Sequence, residues 1–322
     1  MVRPASEGGC GLDAMWNDDF HHSAMVALTG RSEAYFSDHC GTPQELLSCA
    51  KWGFLFQGQR YHWQKQRRGS AGFDLPASSA INFLQNHDQI ANSALGLRGA
   101  SLADPARWRA MTALFLLMPG TPMLFQGQEY SAPQPFLYFA DHAPELAKLV
   151  EKGRRDFLRQ FVSIGSPGAG VKLSRPHDPE TFERCRLDPG ESREVGCKQV
   201  WTMHADLLRL RREDPAFAVR DRRAVDGAVL GEEALLLRWF GEGGGDRLLL
   251  LNLGRDRRLE PAPEPLLAPP EGRRWALAWS SEDPRYGGAG IVPPEDREGR
   301  WRLGGHSGVL MRAEGTSPGR RS

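Results

Sequence analysis

A chain of 322 residues is long enough for a large hydrophobic core and for roughly two domains. Lys and Arg total 41 against 40 Asp and Glu, so a formal net charge of +1 supplies no global field for nucleic acid or an anionic membrane. Apolar stretches such as 113–119 and 248–251 fall far short of the roughly 20 residues that span a bilayer, residues 1–7 lack the hydrophobic run of a signal peptide, and five cysteines without a Cys-x-x-Cys pair read as reduced thiols of a cytoplasmic protein.

From about residue 9 to 160 the chain alternates apolar runs with helical segments. The first run, Leu12-Asp13-Ala14-Met15-Trp16, ends in Asn17-Asp18-Asp19-Phe20-His21-His22. The second, Ile81-Asn82-Phe83-Leu84, ends in Gln85-Asn86-His87-Asp88-Gln89. The third, Pro122-Met123-Leu124-Phe125, ends in Gln126-Gly127-Gln128-Glu129-Tyr130, and a helix over Met111–Met118 precedes it, closed by Pro119-Gly120. Buried parallel strands of an α/β barrel deliver polar groups in this way, and because such strands all point in one direction the three clusters gather on one face. Asn86 and Asp88, or Asp18 and Asp19, also suit helix N-caps; the recurrence of the pattern is what favours a site. Trp16 and Phe125, at strand ends, suit either stacking on a ligand or core packing. His21-His22 lacks the i, i+4 spacing of a helical zinc pair, and the sequence points to no metal and no cofactor.

A Pro/Gly-punctuated stretch fills 164–196, and Val200–Glu213 has the spacing of an amphipathic helix stopped by Asp214-Pro215. After residue 224, short apolar runs alternate with Gly, Pro and Arg turns at Leu235–Phe240, Arg247–Leu253, Trp275–Trp279 and Gly308–Met311, which predicts an antiparallel β domain. Trp275, Trp279 and Trp301 are core candidates there, and 315–322 reads as a disordered tail.

Asn86-His87-Asp88-Gln89 resembles the fourth signature region of the α-amylase clan of glycoside hydrolases. Trp16-Asn17-Asp18-Asp19-Phe20-His21-His22, Pro135-Phe136-Leu137-Tyr138-Phe139-Ala140-Asp141-His142 and Ser281-Glu282-Asp283-Pro284-Arg285-Tyr286-Gly287-Gly288 narrow the resemblance to the malto-oligosyltrehalose trehalohydrolases, from Gly9 to about Leu310. The resemblance implies an α/β fold: a partial (β/α)8 TIM barrel, about strands 6 to 8, over 1–223, followed by an antiparallel β-sandwich over 224–314. It implies retaining hydrolysis of the α-1,4 bond next to the trehalose end of maltooligosyl trehalose, with Asp88 as the carboxylate that stabilises the distorted ring and His87 as a donor beside it. Trp16, Asp18, Asp19, Phe20, His21, His22, Gln89 and Glu129 would then bind the substrate, a maltooligosyl trehalose or other α-glucan.

Gly11-Leu12-Asp13-Ala14 is similar to the clan's nucleophile motif, Gly-Phe-Arg-x-Asp-Ala, but Gly11 stands where that motif has the Arg that orients and ionises the carboxylate. Asp13 is therefore not expected to attack. The resemblance places Met1 between the fifth and sixth barrel strands, with the nucleophile Asp and the acid/base Glu unmatched and the chain inactive alone. Two alternatives stay open: a 1,4-α-glucan branching enzyme-like transglycosylase, and a non-catalytic glucan-binding remnant.

Overall fold

The computed structural model describes residues 1–166, 172–218, 222–296 and 298–315. In chain order it begins with strand β1 (Met15–Trp16), helices α1 (Asp18–Thr29) and α2 (Pro43–Trp52), and a small hairpin of β2 (Arg60–Tyr61) and β3 (Gln66–Arg67). Then follow β4 (Ala80–Asn82), α3 (His87–Ala91), α4 (Gly99–Leu102), α5 (Pro105–Leu117) and β5 (Thr121–Pro122). Helices α6 (Pro144–Leu158), α7 (Val162–Gly165), α8 (Pro179–Glu183) and α9 (Val195–Glu213) complete the mixed half. The β half comprises β6 (Val225–Gly231), β7 (Ala234–Trp239), β8 (Arg247–Asn252), β9 (Arg257–Leu259), β10 (Arg273–Ser280), β11 (Trp301–Leu303) and β12 (Ser307–Gly315). Among the described residues no helix is long and apolar enough to cross a membrane. Most of the expected tail, 316–322, lies outside the described residues.

Strands β1, β4 and β5 form a parallel sheet in that order, with Met15 opposite Ala80 and Ile81 opposite Thr121. The paired segments are shorter than the apolar runs: Phe83 and Leu84 continue past the ladder and are fully buried. Each helix that follows has its own start signal. Asn17 caps α1 by accepting from Phe20 N, Thr42 and Pro43 open α2, and Asp104 accepts from Ala106 N and Arg107 N to open α5. Helix α5 is apolar nearly all round because it lies between the antiparallel sheet and the helices α1 and α9, with Trp108, Met111, Leu114, Phe115 and Leu117 all buried.

The antiparallel sheet has the order β10-β12-β8-β7-β6. Its central strands are buried on both faces, which explains the runs of three leucines in β7 and four in β8 rather than alternation. Leu235, Leu237, Leu249, Leu251 and Leu310 join α1, α2, α5 and α9 in one core. Leu236, Leu248, Leu250, Val309 and Met311 face a second core closed by the β9–β11 ribbon through Trp301 and Leu303. The sandwich is thus a five-stranded sheet and a two-stranded ribbon. Trp275, Trp279 and Trp301 are all buried, Trp279 stacked on Tyr286 and Trp275 Nε1 donating to Leu267 O at 2.7 Å, so packing accounts for them.

Because the first core crosses residue 223 without a break, the mixed half and the β half share one apolar interior. The string 281–288 clasps them. Arg109 of α5 donates to both Glu282 oxygens at 2.8 and 3.0 Å and to Ser281 O at 3.1 Å, and Tyr286 Oη donates to Asp206 of α9 at 2.6 Å. The Arg109–Glu282 side chains are only 11% and 14% exposed. Removing one partner strands the other charge in a poorly solvated place, so Arg109→Met is expected to lower stability by about 2–3 kcal/mol in urea unfolding. Tryptophan fluorescence and far-UV circular dichroism should report one transition; two separated transitions would contradict a shared core.

Four histidines are buried: His21, His22, His39 and His204. Loss of solvent pulls His21, His39 and His204 down to about 4 and His22 well below its ordinary value, so all four fold uncharged. The unfolded chain takes up protons near pH 6.5, the folded one only near 4. Stability is therefore fully present above about 6.5 and falls as pH drops towards 4, with a ceiling of about 1.4 kcal/mol per pH unit for each histidine. Thermal melts across that window should slope, and His204→Gln should flatten the slope; identical slopes would contradict the neutral, buried assignment.

Candidate active site

The carboxyl ends of β1 and β4 lie side by side because the strands are parallel and adjacent. Between them, Asn17 Nδ2 donates to Asn82 Oδ1 and to Gly53 O, each at 2.8 Å, and Asn82 Nδ2 donates to Pro119 O at 3.0 Å. Four residues past the end of β4, Asn86 turns the chain into α3 by accepting from Gln89 N at 2.8 Å. That turn leaves the next two side chains in the open. His87 and Asp88 are 52% and 63% exposed, with His87 Nε2 and Asp88 Oδ2 3.5 Å apart. Trp16, 41% exposed at the end of β1, meets His87 edge-on at 5.9 Å.

Gln89 joins the two strand ends: its Nε2 donates to Asp18 Oδ1 at 3.3 Å, and its Oε1 accepts from Tyr35 Oη at 3.0 Å. Burial pushes the Asp18 carboxyl up, against the pull of the Arg68 guanidinium, and burial pushes the Tyr35 phenol up to about 12. Asp19 points inward: its Oδ2 accepts from Leu55 N and Phe56 N at 3.0 Å, and Arg68 lies 3.0 Å from its Oδ1. Arg68 also stands over the Tyr61 ring at 4.9 Å. On the other flank Arg154 of α6 donates to Asn92 Oδ1 at 2.7 Å and Ala91 O at 2.5 Å.

The structure therefore brings Trp16, Asp18, His87, Asp88 and Gln89 to one rim. Other expected binding residues lie behind it. Phe20 is fully buried and stacked on Phe115, so packing accounts for it. His22 is buried between Tyr35, Phe36 and His39, and Asp19 is enclosed by its amide donors, so neither carries an open face for a sugar. His21 is also buried, its Nδ1 donating to Leu84 O at 2.8 Å, although it borders a cleft of about 690 Å³ that shares Gln89 with the rim but neither His87 nor Asp88. Glu129 sits half-buried in a separate turn after β5, and its carboxylate makes no hydrogen bond or ion pair among the described residues. Phe125 packs edge-on against Phe136 under the Arg98 guanidinium. Tyr35, Arg68, Asn92 and Arg154 are additions that strand-end patterning does not find, because none of them lies at the end of a strand of the parallel sheet.

Chemically, the rim offers carboxylate acceptors and an imidazole beside an amide that both donates and accepts. Vicinal sugar hydroxyls need this mixture.

Residues 222–310 match the family described as Domain of unknown function (DUF3459). A malto-oligosyltrehalose trehalohydrolase of Deinococcus radiodurans is 36% identical over 253 residues, 77% of this chain and 40% of that protein. Its counterpart in Mycobacterium tuberculosis is 32% identical over 286 residues, 87% of this chain and 46% of that protein. A solved structure of a candidate alpha amylase from Salmonella typhimurium superposes with a TM-score of 0.75 at 28% identity, covering 94% of this chain and 47% of that one. The chain thus spans less than half the length of each of these proteins. With the rim built from Asn86-His87-Asp88-Gln89 and the clasp from 281–288, and with relatives of one kind matching across most of its length, the chain belongs to the malto-oligosyltrehalose trehalohydrolase family.

Proposed function

We propose that residues 1–223 supply about the last three strand-helix units of a (β/α)8 barrel, that 224–314 form the accompanying β domain, and that the rim holds part of an active site for hydrolysing maltooligosyl trehalose. One observation carries this reading: Asp88 stands exposed at the carboxyl end of a parallel strand, next to His87 and within the group formed by Asp18 and Gln89. That is where barrel enzymes place their chemistry.

In this reading Asp88 accepts hydrogen bonds from two ring hydroxyls, and those bonds tighten as the sugar flattens towards an oxocarbenium-like transition state. His87 donates to the same sugar, Trp16 covers one face of it, and Asp18 and Gln89 bind the neighbouring unit. Asp19, Phe20, His21 and His22 act from behind by holding α1 against the strand ends, and Glu129, in the turn after β5, closes the trehalose-binding end. Asp88 neither attacks nor protonates, so the reaction also requires a nucleophilic carboxylate and an acid/base carboxylate, which the motifs of residues 1–322 do not supply. The α-1,4 bond next to the trehalose unit would then be cleaved with retention. A branching transglycosylase would use the same carboxylate, and its product separates the two.

Residues 1–322 alone are expected to release no trehalose from maltotriosyl trehalose. In the enzyme carrying all three carboxylates, Asp88→Asn should lower kcat by on the order of 10²–10³ with the fold intact, because an amide lacks the charge that the transition state binds. Near wild-type kcat in that variant would remove Asp88 from the mechanism. Proton NMR of the fresh products should show trehalose and a maltooligosaccharide of retained configuration; new branch points in amylose without trehalose would favour the transglycosylase.

A further inference from the structure

Helix α3, which presents His87, Asp88 and Gln89, has five residues and too few internal bonds to hold its own shape. Its beginning is fixed by Asn86. Its end is fixed from a distant part of the chain: Arg154 donates through one guanidinium nitrogen to Ala91 O at 2.5 Å and through another to Asn92 Oδ1 at 2.7 Å. Ala91 O is among the last carbonyls of the helix, which have no partner further along it. Asn92 N in turn donates to Asp88 O at 2.8 Å, so the turn that Arg154 grips includes the Asp88 backbone.

The guanidinium is itself held in place, 4.9 Å from the Tyr138 ring centre and 5.3 Å from that of Phe157. It makes no ion pair among the described residues, although it is partly buried, and Asp88 lies within its electrostatic reach. A partly buried cation bonded only to neutral acceptors is a poor device for stability alone. A planar fork is needed to reach a carbonyl and an amide oxygen together, which a lysine ammonium does less well.

We propose that Arg154 is the positioning residue of the rim: it clamps the carboxyl end of the short helix that carries His87, Asp88 and Gln89, and so sets where the Asp88 carboxylate stands. This rests on the reading of Asp88 given above. Tyr138, in the string 135–142, and Arg154, on α6, then belong to one device whose purpose is to hold α3.

The test has two arms. Hydrogen exchange on residues 1–322 needs no catalysis: Arg154→Met should accelerate exchange of the Ile90 and Asn92 amides, while Arg155→Met, whose partner is Glu151 at the surface, should not. In the enzyme carrying all three carboxylates, Arg154→Met should lower kcat by up to on the order of 10²-fold with little change in KM, and Arg154→Lys, which keeps the charge but not the fork, should lie between it and wild type. Unchanged exchange at Ile90 and Asn92, or wild-type kcat per folded enzyme in Arg154→Met while Asp88→Asn is inactive, would overturn the role of Arg154 alone. Should Arg154→Met fail to fold, Arg154→Lys with wild-type kcat and exchange would overturn it equally. Full turnover in Asp88→Asn would instead overturn the reading on which it rests.

Discussion

Two buried asparagines hold the rim together. Strands β1 and β5 pair over two residues each, too few to fix a register by ladder bonds alone. Asn17 and Asn82 supply what the ladder lacks. One amide joins the end of β1 to the end of β4 and to Gly53 O, the other joins β4 to the chain entering β5, and Asn17 also caps α1. Gly120 permits the contact of Asn82 with Pro119 O: with φ at +109°, its backbone passes so close that a Cβ there would sit 2.4 Å from Asn82 Nδ2. In a buried setting each of these bonds is expensive to leave unmade, so the three strand ends stay level and their side chains share one face.

Packing does the same at larger scale. Leucines on both faces of β7 and β8 let one sheet serve two cores, and α5 lies against that sheet on one side and against α1 and α9 on the other. Helix α5 follows the segment bearing Asp88, so the β half steadies the rim through it. Glu282 and Tyr286 reinforce the same joint by pairing with α5 and α9. The string 281–288, specific as it is in sequence, is accounted for by this joint.

Legibility in the sequence followed locality. Apolar runs gave away β7, β8, β10 and β12, helical spacing gave α9, and Pro119-Gly120 marked the end of α5. Strand β6 went unread because Gly227 and Gly231 interrupt it and it lies at the sheet edge, half exposed. The β9–β11 ribbon went unread because its outward residues are arginines. At the site, Asp88, His87 and Gln89 were visible because a strand delivers them. Phe20 and His22 fell within a matching string yet face inward, since a helix buries one side whatever motif it carries. Arg68 and Arg154 reach the rim only through tertiary contact with Asp19 and with Ala91, and no spacing along the chain reports that.

The central claim is that a sugar is held at the ends of β1 and β4, by Trp16, Asp18, His87, Asp88 and Gln89. The most direct measurement is an NMR titration of isotope-labelled residues 1–322 with maltotriosyl trehalose. Saturable shifts at the amides of Asp18 and of His87 to Asn92, with the β half unmoved, are the predicted result. Shifts confined to the pocket between Asn252 and Glu282 in the β half, or none at the rim, would contradict it.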